Sequence, residues 1–140
     1  MAQASYPLTL VERLALAAYD FVLRALQPML RRKLSRRAQK EPEYALNMAQ
    51  RFGQYVGDVP ADGFVWLHAV SLGETRAAAL LLPALREAMP SMRLLLTHST
   101  ATGLGQGRGL LQAGDVQVWL PWDTAQATRQ FLTHFKPRIG

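Results

Sequence analysis

The sequence predicts an α/β fold: a parallel sheet whose strands alternate with helices, preceded by a helical region. Two observations carry this. From residue 64 onward, short apolar runs alternate with longer stretches of helical spacing, which implies parallel strands joined by right-handed crossovers. The first 60 residues lack that alternation and read as an apolar stretch followed by a basic one. The expected organisation is a helical region over 1–60 and an α/β domain over 61–140. A chain of 140 residues, 49% hydrophobic, is long enough to bury a core and is not disordered by composition.

Leu8 to Met29 is rich in Leu, Ala and Val. Leu10, Leu14, Ala17, Phe21 and Ala25 recur on one helical face. Glu12, Arg13, Asp20 and Arg24 interrupt the stretch, which argues against a transmembrane span of about 20 apolar residues. The same charges, with no small-residue cleavage site after them, argue against a cleavable signal peptide. Gly57 to Gly63 (GDVPADG) has turn chemistry. Strands are expected at Phe64–Val70, Met92–Thr97 and Val116–Leu120. Helices are expected at Gly73–Met89, Leu104–Ala113 and Thr124–Phe135, the first of them kinked or split near Leu82 by Pro83.

Charge is concentrated. Residues 24–51 hold eight of the 16 basic residues, against only Glu41 and Glu43, and so carry the whole net charge of +6. Arg31, Arg32, Lys33, Arg36 and Arg37 directly follow the apolar helix. That pairing suits an anionic bilayer surface, where each basic residue contributes about 1 kcal/mol. A packing helix followed by a solvated charge run is the other reading. Nucleic acid is not an expected partner: aromatics near the patch are sparse, and no recognised nucleic-acid-binding signature occurs.

Ligands of such sheets bind beyond the carboxyl ends of the strands. Those ends read AVSLGE (69–74), THSTATG (97–103) and LPWD (120–123). Ser71 to Glu74 matches S-x-x-E, a capping box. Glu74 also fits a general base, since a helix N-terminus stabilises the ionised carboxylate. Thr97, Ser99, Thr100 and Thr102 before Gly103 form either an N-cap or an anion site. Asp123 is expected to cap the last helix. His68 and His98 lie near strand ends and either line the crevice or are structural. Glycines 103, 105, 107 and 109 do not satisfy G-x-G-x-x-G. With no cysteine, no HExxH and no metal spacing among His68, His98 and His134, no metal site is expected.

The ordered set RFG (51–53), WLHAVSLGE (66–74), T-x-x-T-x-T-G (97–103), LPWD (120–123) and RQFL (129–132) resembles the N-terminal half of the 3-deoxy-D-manno-octulosonic acid (Kdo) transferases. The resemblance covers residues 5 to 140. It implies a Rossmann-like parallel sheet forming the acceptor-side half of a GT-B glycosyltransferase, preceded by membrane-associating helices. It implies Kdo transfer from CMP-Kdo to the lipid A precursor, with inversion and without bound metal or cofactor. Glu74 would be the base. Ser71, Gly73, His68, Thr97, Thr100, Thr102, Gly103 and Asp123 would line the substrate site. The basic cluster would hold the enzyme on the cytoplasmic face of the inner membrane of a Gram-negative bacterium. Two departures stand out. The helix proline, usually nearer position 80, is Pro83. The chain stops at Lys136 to Gly140, the lead-in to a fourth strand, so the CMP-Kdo-binding domain is expected to be missing. A non-catalytic, membrane-bound scaffold or binding module with a half-Rossmann fold is the alternative.

Overall fold

The computed structural model describes residues 7–57, 59 and 63–139; most of the expected turn at 57–63, and the boundary at 60/61, lie outside them. Helix α1 spans Leu10–Ala38. Thr9 caps it in a reciprocal box: Glu12 N donates to Thr9 Oγ1 at 3.3 Å, and Thr9 N donates to Glu12 Oε2 at 2.8 Å. The expected apolar helix thus continues through the basic cluster, because Arg and Lys are good helix formers. Arg36 and Arg37 in its last turn complement the negative end of the helix dipole. Two 3₁₀ turns follow, Pro42–Ala45 and Met48–Phe52.

The sheet has three parallel strands, β1 (Val65–His68), β2 (Leu94–His98) and β3 (Val116–Trp119), in the order β1-β2-β3. Val65 pairs with Leu94, and Leu95 with Val116. Every residue of β2 is buried, as a central strand covered on both faces requires. On the open side of β1, Val65 bridges Ile139 in parallel and Trp66 N donates to Ile139 O at 2.7 Å. The backbone order is therefore 139-β1-β2-β3. The direction of winding reverses between β1 and residue 139, and in open α/β sheets such a reversal is where ligands bind.

Helices α2 (Leu72–Ala88), α3 (Ala101–Gly107) and α4 (Ala125–Phe135) connect the strands. Side-chain alternation along β2 divides the core. Leu95 joins Phe64, Val118, Phe131 and Phe135 on the α4 side. Leu94 and Leu96 join Ala69 and Leu82 on the α2 side. A third cluster unites Leu34 and Tyr44 of the helical region with Ala101, Leu104 and Trp119. The helical region therefore shares core with the sheet through Leu34 and Tyr44.

Three local expectations change. Pro83 does not split α2: it is exposed, so solvent can take the carbonyl it frees. The third helix starts at Ala101, because Thr100 caps it, and gives way after Gly107 to a 3₁₀ turn at Arg108–Leu110. The last helix is capped by Thr124, whose Oγ1 accepts from Ala127 N at 3.2 Å, so Asp123 does not cap it.

Asp115 anchors the strands at the opposite end from the strand carboxyl ends. Its buried carboxylate accepts from Leu94 N at 2.8 Å, Gln112 N at 2.7 Å and Arg86 Nη2 at 2.7 Å. Asp115→Ala leaves the Arg86 guanidinium and two amides without their acceptor. Urea unfolding should show a loss of about 3–5 kcal/mol.

Candidate active site at the carboxyl end of the sheet

Strand β1 ends at His68, and the chain turns through Ala69 and Val70 into α2. Ser71 is the N-cap, and Glu74 N lies 3.5 Å from its Oγ. The reach-back differs from a reciprocal box: Glu74 Oε2 accepts from Val70 N, one residue before the cap, at 2.8 Å. Oε1 has only a long contact of 3.5 Å from Ser71 Oγ. One oxygen is thus held and the other is nearly free, on an exposed side chain in the first turn of a helix. A carboxylate so placed is fixed in position and still able to accept from an incoming hydroxyl. Gly73, also exposed, leaves the turn beside Glu74 without a side chain.

The Val70 carbonyl binds the second loop. It accepts from Thr100 Oγ1 at 2.9 Å, Thr100 N at 3.2 Å and Ser99 N at 3.4 Å. Thr100 also caps α3, accepting from Gly103 N at 3.3 Å. Gly103 is needed for close approach: a Cβ there would sit 3.1 Å from Thr100 Oγ1 and 3.3 Å from the Ser71 carbonyl carbon. Thr102 is exposed on the first turn of α3.

The two histidines separate into different roles. His68 is exposed, and its Nδ1 lies 2.9 Å from Thr97 Oγ1. Thr97 itself is fully buried and also accepts from Trp66 Nε1 at 2.9 Å, so it orients His68 from beneath. His98 lies on the other face, fully buried. Its Nδ1–H donates to Ala69 O at 2.8 Å, because a carbonyl can only accept. Its Nε2 is buried without a partner and faces Gly107, where a Cβ would collide with it. Burial pushes the His98 pKa down, against a smaller upward effect of the Ala69 hydrogen bond.

Asp123 stands at the α1–α4 contact and accepts from Tyr19 Oη at 3.1 Å. Asp20 supports the same contact, accepting from Ala125 N at 2.7 Å while paired with Arg24 at 2.7 Å. The basic cluster divides as well. Arg31 lies over the Phe52 ring at 3.6 Å, and Arg37 over Tyr44 at 4.9 Å. Arg32, Lys33 and Arg36 are exposed.

The residue that sequence reasoning missed is Arg51. Counted with the basic run, it is in fact only 4% exposed. It stacks 4.0 Å above Trp119 and donates through Nη2 to Ser99 O at 3.0 Å. Its backbone carbonyl accepts from Trp122 N at 2.7 Å, which ties the RFG and LPWD segments together. Burial pulls its pKa down to about 10. Its place in the RFG segment was the available signal. Among the described residues, no three His, Asp or Glu side chains gather as a metal site would require.

The profile of a family described as 3-deoxy-D-manno-octulosonic-acid transferase matches residues 46–140. The chain belongs to the Kdo transferase family. It is 43% identical, over 130 residues, to a 3-deoxy-D-manno-octulosonic acid transferase of Bordetella pertussis, covering 87% of this chain and 30% of that protein. A probable mitochondrial enzyme of the same name from Arabidopsis thaliana is 28% identical over 85% of this chain and 27% of its own length. The Haemophilus influenzae transferase is 25% identical over 86% of this chain and 29% of its own. The chain thus spans under a third of each of these Kdo transferases. No solved structure matches it.

The buried His98 has a measurable consequence. Its folded pKa lies below the ordinary value of 6.5, so the unfolded chain takes up the proton first. The stability it contributes is fully present above pH ~6.5 and is lost as the pH falls through the depressed folded value. Unfolding free energy measured from pH 7.5 downward should decline in that window. His98→Asn, whose amide can still donate to Ala69 O, should flatten the decline.

Proposed function

We propose that this chain is the acceptor-side half of an inverting GT-B glycosyltransferase that moves Kdo from CMP-Kdo to the lipid A precursor. The observation that carries the reading is Glu74: one oxygen fixed by Val70 N–H, the other nearly free at the exposed start of α2, in a chain of the Kdo transferase family. In this reading an acceptor hydroxyl docks against Glu74 Oε1. Its proton passes to the carboxylate as its oxygen attacks the anomeric carbon of Kdo. The bond from that carbon to the CMP phosphate breaks on the opposite side, so the configuration inverts and CMP leaves with the electron pair. In the same reading His68 and Thr102, both exposed near the same strand ends, contact the acceptor sugar. The donor belongs to a second half supplied outside these residues. No metal or cofactor enters the step.

The reading places the enzyme on the cytoplasmic face of the inner membrane. No helix among the described residues is long and apolar enough to cross a bilayer. Yet α1 exposes Leu10, Val11, Leu14, Phe21 and Met29, and Arg32 and Arg36 follow on the same helix. An exposed apolar helix that runs on into exposed basic residues suits attachment to an anionic surface.

Two experiments test these assignments. This chain, joined to the remaining part of the Bordetella pertussis relative, is assayed with CMP-Kdo and lipid A precursor. Glu74→Gln keeps the side-chain length and should lower kcat about 10²–10⁴-fold. Near-wild-type turnover would exclude Glu74 as the base. In vesicle co-sedimentation the chain should bind anionic liposomes, and Arg32→Ala with Arg36→Ala should weaken binding at least about tenfold. Equal binding to neutral vesicles, or none at all, would refute the electrostatic attachment.

A further inference from the structure

Thr97 joins two side chains of the neighbouring strand. It is fully buried near the carboxyl end of β2. Its Oγ1 lies 2.9 Å from Trp66 Nε1 and 2.9 Å from His68 Nδ1. Trp66 and His68 are two positions apart on β1 and so share one face of the sheet. The register sets Thr97 beside His68, so the three side chains meet across one pair of strands. Packing fixes the indole at the start of this series: its ring centroid is 5.0 Å from that of Phe131.

Donor and acceptor capacity decides where the hydrogens lie. An indole N–H can only donate, so Trp66 gives its hydrogen to Thr97 Oγ1. The hydroxyl has one hydrogen of its own. Among the described residues, His68 Nδ1 is the acceptor within hydrogen-bond distance of it. If Nδ1 carried a hydrogen, Thr97 Oγ1 would receive two N–H groups, and its own buried hydrogen would have no acceptor. Nδ1 also lies 3.2 Å from Thr97 O, but that carbonyl already accepts from Ala69 N at 2.9 Å. The relay therefore runs from Trp66 through Thr97 to His68, and Nδ1 is an acceptor. A neutral imidazole then carries its hydrogen on Nε2. That atom has no hydrogen-bond partner among the described residues, on a side chain exposed at the end of β1. His98 has the opposite tautomer, with its hydrogen on Nδ1.

We propose that Trp66 and Thr97 are positioning residues that fix His68 as its Nε2–H tautomer, so that it presents a directed N–H to an oxygen of the acceptor sugar. The contact with the acceptor rests on the glycosyltransferase reading, whereas the tautomer rests on hydrogen-bond capacity alone. The other tautomer would turn a lone pair outward, at an end of the sheet where Glu74 Oε1 already supplies an acceptor. With Nε2–H outward, the strand ends offer one acceptor and one donor. A sugar matches both, with one hydroxyl giving its proton to Glu74 and another oxygen taking the N–H.

Long-range proton–nitrogen NMR correlation reads the tautomers directly, on the chain labelled at the histidine ring nitrogens. The His68 signals, assigned by their loss in His68→Gln, should show the Nε2–H pattern, and His98 the Nδ1–H pattern in the same spectrum. Thr97→Val removes the hydroxyl and leaves Nδ1 only the backbone carbonyl of residue 97, which can only accept. His68 should then change to the Nδ1–H form, whereas Thr97→Ser should keep the wild-type form. Trp66→Phe with Thr97→Val removes the indole donor and its hydroxyl acceptor together, and serves where the single variant fails to fold. In the joined enzyme, Thr97→Val should raise KM for the lipid A precursor at least about tenfold with a smaller effect on kcat, and Thr97→Ser should restore it. An Nδ1–H pattern for His68 in the wild type, or a tautomer unchanged by loss of the hydroxyl, overturns the relay. A tautomer that changes while KM does not overturns the role in acceptor recognition. Turnover that survives in Glu74→Gln excludes the base and leaves the tautomer untouched, so the two readings fail separately.

Discussion

The site depends on a single peptide unit, Val70. Its N–H is taken by the Glu74 carboxylate, and its carbonyl collects the amides of Ser99 and Thr100 together with the Thr100 hydroxyl. A turn leaving an edge strand would ordinarily bond to water. Here it is bonded on both sides, to the helix that follows it and to the loop after the central strand. The carboxylate is therefore positioned by the sheet as well as by its own helix. Because Val70 N–H engages only one Glu74 oxygen, the second remains available without any rearrangement of the turn. Structural capping and chemistry are compatible in the same side chain, since they use different atoms of it.

Close packing beneath that turn comes from the glycines and His98. Residues 103 and 107 are one helical turn apart and face the imidazole. With no Cβ at either, α3 approaches near enough for His98 to stay buried with one ring nitrogen on Ala69 O. The arrangement leaves Nε2 unsatisfied, a cost that neutral imidazole tolerates better than imidazolium. Gly103 and Gly107 are thus explained by helix-to-strand packing. Gly105 and Gly109, with open space around them, have no part in it.

Much of this was legible in the sequence, for identifiable reasons. Apolar runs such as Leu94 to Leu96 marked the strands, because a central parallel strand must be apolar on both faces. Ser71 and Glu74 were visible as a cap pair because capping is local. The T-x-x-E signature at Thr9 to Glu12 is local in the same way and forms the reciprocal box at the start of α1. Asp123 and Thr124 are both good cap residues by type, and only geometry shows which oxygen meets Ala127 N. Arg51 was beyond local reasoning. Its burial comes from Tyr44, Trp119 and Ser99, up to 68 positions away, and contacts at that separation leave no local pattern around residue 51.

The basic segment shows why charge counting alone cannot assign a surface. Residues 24–51 hold the net charge of the whole chain, yet the positions within it have different surroundings. Arg31 and Arg37 lie over aromatic rings, where the planar guanidinium keeps its charge and gains packing. Arg51 continues that series into the core. Helical periodicity decides the split: Leu34 must be buried against Ala101 and Trp119, so Arg31 and Arg37, one turn to either side, are drawn toward the body. Arg32 and Arg36 are then left on the opposite side of the helix, in solvent. One helix thus leaves some of its cations in solvent and packs others against aromatic rings of the body.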